Sequence, residues 1–236
     1  MEPIYAELTA RALSKHHSLK TAGSSSPQRT IIALAGPPGS GKSTVASIVA
    51  ARINADLRIP NFATVVPMDG FHLPRSALDQ LPNRAEAYAR RGAAWTFDAQ
   101  GVVDLVHALH ASKMDTKQVI LAPSFDHVLK DPQLNGVSIG SEVSIVILEG
   151  NWLLFDEEPW SSIARLVDDS WFVDVEPKLA KERIAKRHLR SGIEVTWEAA
   201  LRRAEGNDLR NGDEVRRRLV SPGLRVMSIE VADRNP

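Results

Sequence analysis

The sequence contains no cysteine, which excludes disulfides, Cys-ligated zinc, iron–sulfur clusters and a cysteine nucleophile. It also lacks an excess of charge, because its 29 basic and 29 acidic side chains balance. Balanced charge removes the broad electrostatic attraction that binding along nucleic acid requires, so we expect no nucleic-acid partner. Apolar runs of about 18 residues are absent as well, and we expect no membrane partner.

The start of the chain lacks the apolar core of a secretory signal peptide, and its two glutamates disfavour a transit peptide. We therefore expect a cytoplasmic protein. An apolar stripe through Ile4, Leu8 and Ala12 predicts a helix, and a Gly/Ser/Pro-rich stretch after it predicts a flexible connector. We expect residues 28–236 to form one domain. Residues 1–27 are expected to form an accessory helix, which packs on the outside of that domain, and the connector.

Short apolar runs alternate with helical patterns through that domain. Such alternation predicts an α/β fold whose parallel sheet is covered by helices on both faces. The runs predicted as strands are 30–35, 63–68, 119–122, 143–148, 171–175 and 224–231, and the predicted helices are 42–53, 98–110, 177–191 and 195–205.

A glycine-rich segment between the first strand and the first helix matches the pattern G-x-x-x-x-G-K-[ST]. Glycines let backbone N–H groups turn towards an anion, and the helix N-terminus adds positive charge. Lys42 can then reach the β- and γ-phosphates of a nucleotide, while Ser43 can ligate Mg²⁺. The alternative is a simple turn with a solvated lysine. The predicted nucleotide-binding residues are Gly36, Pro37, Pro38, Gly39, Ser40, Gly41, Lys42, Ser43 and Thr44.

Two carboxylates that follow predicted strands indicate the type of reaction. Asp69 follows the second strand, where it can accept a proton from a substrate hydroxyl. Glu149 follows the strand at 143–148, where it can hold a Mg²⁺-bound water. One carboxylate for the metal and one for the nucleophile is the layout of a small-molecule kinase. The alternatives are a turn-forming Asp-Gly for Asp69 and a strand-end charge for Glu149.

The predicted helix at 177–191 is strongly basic, because residues 178–190 hold six basic residues and one acidic residue. Arg183, Arg187 and Arg190 fall on one helical face. Such a face can close over a triphosphate and neutralise charge during transfer, with Arg187 as the first candidate and Arg183 as the second. The alternative is a solvated basic surface.

We expect the phosphate acceptor to lie over Asp69, because ligands of open α/β sheets bind at the carboxyl ends of strands. Two arginines seven residues apart can share a helix face and bind an anion, or be solvated; the nearby aromatic residues can stack on a ring or pack in the core. The candidate substrate-binding residues are His72, Arg84, Arg91, Trp95, Asp98, Asp126 and His127, with Asp98 also predicted as a helix cap. Candidates for the adenine side are Asn207, Asp208 and Asn211.

Taken together, these motifs resemble the uridine kinase, pantothenate kinase and phosphoribulokinase superfamily from about residue 28 to the C-terminus. The resemblance rests on the phosphate loop, the Arg-rich helix and the segments 68–72, 123–127 and 146–150. Through segments 83–98 and 206–212, the chain is most similar to the nucleoside/nucleotide kinase-like branch, also described as fructose-transport-system kinase-like. These motifs are specific to the superfamily and not to a substrate.

The resemblance implies a P-loop NTPase fold with a five-stranded parallel sheet, in which the strand of Asp69 lies beside the phosphate-loop strand. It also implies a helical lid at about 178–218. For the site it implies ATP as donor, Asp69 as catalytic base, and Ser43 and Glu149 around Mg²⁺.

The predicted function is transfer of the γ-phosphate of ATP to a hydroxyl of a small metabolite, by a monomer or homodimer. A nucleoside, a vitamin-like alcohol or a sugar fits equally well as acceptor. One alternative is a P-loop ATPase or nucleotide switch that acts on a protein partner. Another is a nucleotide-binding regulator on a degenerate kinase scaffold, against which the intact Lys42, Asp69 and Glu149 count.

Overall fold

The computed structural model of the protein describes residues 1–21, 29–112 and 119–230. Five of its strands form a parallel sheet, which confirms the predicted α/β class. The strands are β1 (Thr30–Ala35), β2 (Ala63–Pro67), β3 (Ile120–Asp126), β4 (Asp131–Ile139), β5 (Ile145–Gly150), β6 (Asp169–Val175) and β7 (Leu224–Ser228), and the order in the parallel sheet is β2-β5-β1-β6-β7.

Helices cover this sheet, and the helices predicted at 42–53, 98–110 and 177–191 are present as α2 (Lys42–Leu57), α5 (Ala99–Ala111) and α7 (Pro177–Arg190). The helix predicted at 195–205 is shorter, because α8 (Trp197–Arg203) passes into a π-helical turn, Ala204–Leu209. Across the described ranges, no helix combines the length and apolarity needed to cross a membrane. The helices are α1 (Glu2–Thr21), α2 (Lys42–Leu57), α3 (Arg75–Leu78), α4 (Arg84–Ala89), α5 (Ala99–Ala111), α6 (Ile163–Leu166), α7 (Pro177–Arg190), α8 (Trp197–Arg203) and α9 (Arg210–Arg217).

The core lies on both faces of the sheet, as the alternation of side chains along β1 shows. Ile31 and Ala33 belong to the apolar cluster that includes α5, whereas Ile32 and Leu34 belong to the cluster that includes α1 and α2. Successive side chains of a strand point to opposite faces, so a strand buried on both sides is apolar throughout. This explains the continuous apolar run at 30–35.

The predicted N-terminal helix is present as α1, and it packs against the parallel sheet and α2. Leu8 and Ala12 are fully buried in the core cluster beneath α2. Arg11 Nε donates to Asp169 Oδ2 at the start of β6 at 2.6 Å, which holds the helix to the sheet. The helix therefore shares its core with the parallel sheet. The connector predicted after it falls on residues 22–28, outside the described residues.

The strand predicted at 119–122 does not join the parallel sheet. It extends as β3 and pairs antiparallel with β4 in a separate two-stranded sheet. Sequence reasoning missed β4 because its side chains are mostly exposed, so it has no continuous apolar run. Leu121 and Leu134 are also exposed, whereas a central parallel strand is buried on both faces.

The order of strands also differs from the expectation that β2, which carries Asp69, lies beside β1. β5 lies between them and pairs in parallel with both. Every residue of β5 is buried, whereas β2 has partly exposed positions and forms an edge of the sheet. A strand whose residues are all apolar is buried best when another strand pairs with it on each side. Local patterns in the sequence do not specify which strands become those neighbours.

His16 makes stability depend on pH. Its Nδ1 lies 2.9 Å from Thr30 Oγ1, and burial lowers the pKa of His16 to about 4. Between its unfolded value, about 6.5, and about 4, the unfolded chain binds a proton that the folded protein does not, so stability falls as pH falls. We expect the free energy of unfolding to drop from pH 7 to pH 5, and to drop less in His16→Gln. Chemical denaturation at both pH values tests this, and an equal drop in the variant contradicts it.

Candidate active site

The phosphate loop occupies residues 36–43, between the end of β1 and the start of α2. Gly39 and Gly41 have φ angles of 79° and 81°, in the left-handed region that favours glycine. At Gly36, a Cβ would lie 2.4 Å from the carbonyl oxygen of Val173 on β6, so the loop is packed tightly on the sheet. Because α2 begins at Lys42, its free N–H groups and dipole favour an anion at this loop.

Ser43 and Glu149 meet beside the loop, where Ser43 Oγ donates to Glu149 Oε1 at 3.1 Å. Glu149 is only 6% exposed, and its Oε2 has no hydrogen-bond partner in the described part of the chain. Burial raises the pKa of Glu149, although the Lys42 ammonium opposes this. A buried oxygen that lacks a partner, next to a serine hydroxyl, fits a hydrated Mg²⁺.

These two residues do not form a metal cage. Within the described ranges, no group of three or more His, Cys, Asp and Glu side chains could hold a metal ion. Mg²⁺ keeps several waters and commonly shares its ligands with substrate phosphates. The nucleotide would therefore supply part of the coordination.

Lys42 lies among charges of both signs. Burial lowers its pKa, the carboxylates of Glu149 and Asp69 raise it, and Arg187 lowers it. A partly desolvated ammonium of this kind gains most from an incoming anion. Its environment is suited to the phosphates of a nucleotide.

Asp69 lies in a 3₁₀ turn, Met68–Phe71, directly after β2. A Cβ at Gly70 would lie 2.1 Å from the carbonyl oxygen of Pro123, so the turn packs against the β3–β4 hairpin. His72 Nδ1 lies 2.8 Å from the carbonyl oxygen of Asp69, and burial lowers the pKa of His72. The neutral ring donates from Nδ1 to this carbonyl, which leaves Nε2 as an acceptor.

Two cavities flank the phosphate loop. The larger, here the P-loop cavity, has a volume of about 490 Å³, and the smaller, here the Asp69 cavity, about 190 Å³. Lys42, Ser43 and Arg187 line both of them. The P-loop cavity is bounded by the loop, α7, the end of β7 and the start of α1. The other residues of the Asp69 cavity are Pro38, Asp69, His72, Arg91, Gly92, Phe97, Glu149, Asn151, Asn207, Asp208 and Asn211.

The arginines of α7 make different contacts. Arg183 Nη1 donates to the carbonyl oxygen of Gly39 at 3.2 Å and to Ser228 Oγ at 2.8 Å, so it joins α7 to the loop and to β7. Arg187 Nη2 donates to Asp208 Oδ1 at 3.3 Å, at the boundary between the two cavities. Arg190 lines the P-loop cavity. The face predicted as a solvated or lid surface therefore faces the site.

Comparison with known proteins agrees with this geometry. The chain matches the model of the Phosphoribulokinase / Uridine kinase family over residues 31–190. It is 39% identical over 204 residues to a Schizosaccharomyces pombe protein provisionally named uridine kinase C227.14, covering 86% of this chain and 85% of that protein. The chain belongs to the phosphoribulokinase/uridine kinase family.

Other relatives fall in the branch that the sequence resembles. The chain is 35% identical to the ATP-dependent kinase YFH7 of Zygosaccharomyces rouxii, over 69% of this chain and 50% of that protein. It is 32% identical, with a TM-score of 0.75, to a solved structure provisionally assigned as a fructose transport system kinase from Silicibacter sp. TM1040, covering 91% of this chain and 98% of that chain. YFH7 from Saccharomyces cerevisiae shares the fold, with a TM-score of 0.86 at 23% identity, covering 96% of this chain and 99% of that chain. At this level the protein has the P-loop kinase fold and belongs to a family of kinases.

Two of the candidate substrate residues, His72 and Arg91, line the Asp69 cavity in this family member. Arg91 donates to the carbonyl oxygens of Leu73 at 3.1 Å and Lys130 at 2.5 Å and lies 3.3 Å from Asp131. It therefore ties the segment after β2 to the hairpin while its side chain borders the cavity.

Arg84 and Trp95 lie elsewhere. Arg84 pairs with Asp79 at 2.9 Å on the surface, and it shares no helix with Arg91 because α4 ends at Ala89. Trp95 is 44% exposed and lines neither cavity, so it neither stacks on a ligand there nor packs in the core. Its neighbour Phe97 does border the Asp69 cavity.

Asp98, Asp126 and His127 also line neither cavity. Asp98 caps α5, accepting from the N–H of Gly101 at 2.9 Å as predicted for a cap. Asp126 stabilises the hairpin turn by accepting from the N–H groups of Val128 and Leu129, and His127 is exposed. The turn after β3 lines neither cavity because β3 belongs to the separate two-stranded sheet and does not end at the carboxyl edge of the parallel sheet.

Four polar residues line the Asp69 cavity that were expected elsewhere or not proposed at all. Asn207, Asp208 and Asn211, expected on the adenine side, line the Asp69 cavity instead. Asn207 Nδ2 donates to the carbonyl oxygen of Arg91 at 2.9 Å, and Arg90 Nη2 donates to Asn211 Oδ1 at 2.8 Å. Asn151, missed entirely, follows Glu149 by two positions, and its proximity to that carboxylate was the available signal.

Glu149 provides a test of the metal site. In Glu149→Gln, a neutral amide replaces the carboxylate beside Ser43. We expect the factor by which Mg²⁺ strengthens ATP binding to be about tenfold smaller in this variant than in the wild-type protein. Titration calorimetry with and without Mg²⁺ measures this factor. The matched control is Glu198→Gln, an exposed position on α8. An unchanged factor in Glu149→Gln would show that this carboxylate does not serve the metal.

Proposed function

We propose that the protein transfers the γ-phosphate of ATP to a hydroxyl group of a small metabolite. The observation that carries this proposal is that the P-loop cavity and the Asp69 cavity share Lys42, Ser43 and Arg187. A nucleotide in the first cavity would direct its terminal phosphate towards this boundary. An acceptor in the second would approach the same boundary from the opposite side, next to Asp69.

In the proposed reaction, the acceptor oxygen attacks the γ-phosphorus in line with the bond to the β-phosphate oxygen. A new P–O bond forms, the old one breaks, and ADP leaves with the bonding electron pair. Asp69 accepts the hydroxyl proton, and Lys42 and Arg187 stabilise charge on the phosphoryl group. Mg²⁺, held by Ser43 and Glu149 when bound, would supply further neutralisation of the phosphates.

The lining of the Asp69 cavity supports a compact, hydroxylated acceptor. Its volume of about 190 Å³ is below the range of about 300–1,000 Å³ that is usual for drug-sized ligands. Three amide side chains line it, those of Asn151, Asn207 and Asn211. Phe97 is buried, and its ring centroid lies 4.0 Å from that of His72, so its face is already covered. Among the three acceptor classes, a sugar or similar polyol fits this lining better than a nucleoside.

Release of ADP from ATP and Mg²⁺ in the presence of separate sugars, nucleosides and vitamin precursors tests the proposal. We expect at least one compact hydroxylated compound to accelerate ADP release and to yield its own phosphate ester. Acceleration by a protein with no small acceptor would instead favour a P-loop ATPase or nucleotide switch. A monomeric or homodimeric state and a cytoplasmic location stay predictions.

Asp69→Asn tests the role of the base. The change keeps the side chain's size and removes its capacity to take a proton, so we expect kcat with the best acceptor to fall by about 10²–10⁴-fold. ATP affinity should hardly change, because Asp69 lines only the Asp69 cavity. Asp104→Asn, on the exposed face of α5, is the matched control. If Asp69→Asn kept more than about a tenth of the turnover, Asp69 would not be the base.

A further inference from the structure

Side chains of two chemical kinds line the P-loop cavity. Five cationic side chains line it, and no carboxylate does so among the described residues. This suits the triphosphate of a nucleotide but not its base, which gains more from apolar and aromatic surface. The cationic residues are Lys42, Arg183, Lys186, Arg187 and Arg190, and the apolar or aromatic ones are Met1, Tyr5, Val45, Ile184 and Ile229.

Two members of the apolar group come from the start of the chain, Tyr5 on α1 and Met1 directly before it. Met1, Tyr5, Leu8 and Ala12 follow one another at spacings of three or four residues, which places them on one face of a helix. The later two are fully buried in the core, and the earlier two reach the rim of the P-loop cavity. The same stripe that anchors the helix therefore continues into the site.

Contacts of α1 with the core and of the Tyr5 ring with α2 hold Tyr5 in position. α1 is anchored by its buried stripe and by the pair between Arg11 and Asp169. The guanidinium of Arg52 lies 5.4 Å from the centroid of the Tyr5 ring, and Arg52 also pairs with Glu2 at 2.7 Å. The ring is thus held from the α2 side while it borders the cavity. Among the described residues that line this cavity, Tyr5 is the only aromatic one.

We infer that α1 is a wall of the nucleotide site and that the Tyr5 ring contacts the base of ATP. The inference rests on the proposed use of ATP at this cavity, and it makes Tyr5 a binding residue for the base and not for the phosphates. It does not depend on which acceptor is phosphorylated, or on whether a small acceptor exists.

Comparing ATP with inorganic triphosphate separates base contacts from phosphate contacts. We would measure the Kd of each ligand, with Mg²⁺ and without acceptor, for the full chain and for Tyr5→Leu. Loss of a base–aromatic contact should weaken ATP binding by about fivefold or more. Triphosphate binding should stay within about twofold, because the cationic residues are unchanged. Tyr5→Phe should bind ATP as the wild-type protein does, since the ring makes the contact.

Tyr88→Leu is the matched control, because Tyr88 lies on α4 and lines neither cavity. Equal weakening of both ligands in Tyr5→Leu would show an effect on the fold or the phosphate loop and would overturn the inference. So would unchanged ATP binding. Strong ATP binding that depends on Tyr5, without phosphorylation of any acceptor, would uphold the inference while the proposed transferase function failed. Triphosphate binding as tight as ATP binding in the wild-type protein would overturn the base contact itself.

Discussion

The parallel pairing of β5 with β1 on one side and β2 on the other determines where the chemistry lies. In this register, Glu149 is opposite Leu34 of β1 and Pro67 of β2, close to the end of each strand. Parallel strands finish at a common edge, which is where open α/β sheets bind ligands. The phosphate loop, the Asp69 turn and Glu149 therefore converge although more than 100 residues separate the first from the last.

Bringing charged groups together at this buried edge costs electrostatic free energy. Glu149 is buried with a raised pKa and one oxygen that lacks a partner in the described chain, and Lys42 has a lowered pKa. Perturbed groups of this kind gather at functional sites, because the ligand and its metal supply the missing charge partners. Burial of these two charged groups costs free energy in the folded protein without ligand. The same groups form favourable contacts when a nucleotide binds.

The two sides of the site are joined by hydrogen bonds between distant segments. Arg90 and Arg91, after β2, bond with Asn211 and Asn207, which follow the basic helix α7. Both bonds join segments that border the Asp69 cavity, because Arg91, Asn207 and Asn211 line it. The segment before β3 and the segment after α7 are therefore held together around this cavity.

The sequence was sufficient for every feature that depends on local pattern. A phosphate loop needs particular glycines followed by the start of a helix, so the conformation and position of the segment 36–43 could be predicted. The apolar runs of β1, β5 and β6 predicted a buried parallel sheet, and the Asp98 cap follows from short-range hydrogen bonding. Asp69 and Glu149 were proposed as site residues because each follows an apolar run that was predicted as a strand, although Glu149 lies within β5 in the structure.

Only the tertiary structure decided which separate segments meet. The placement of β5 between β1 and β2, and the pairing of β3 with the largely exposed β4, depend on long-range packing that no local period records. For that reason Asp126 and His127 line neither cavity, while Asn151, which was missed, and Asn207 and Asn211, which were expected on the adenine side, line the Asp69 cavity. The role of α1 has the same origin. Its apolar stripe predicted a helix, but the neighbours of that stripe are contributed by strands and helices far away along the chain.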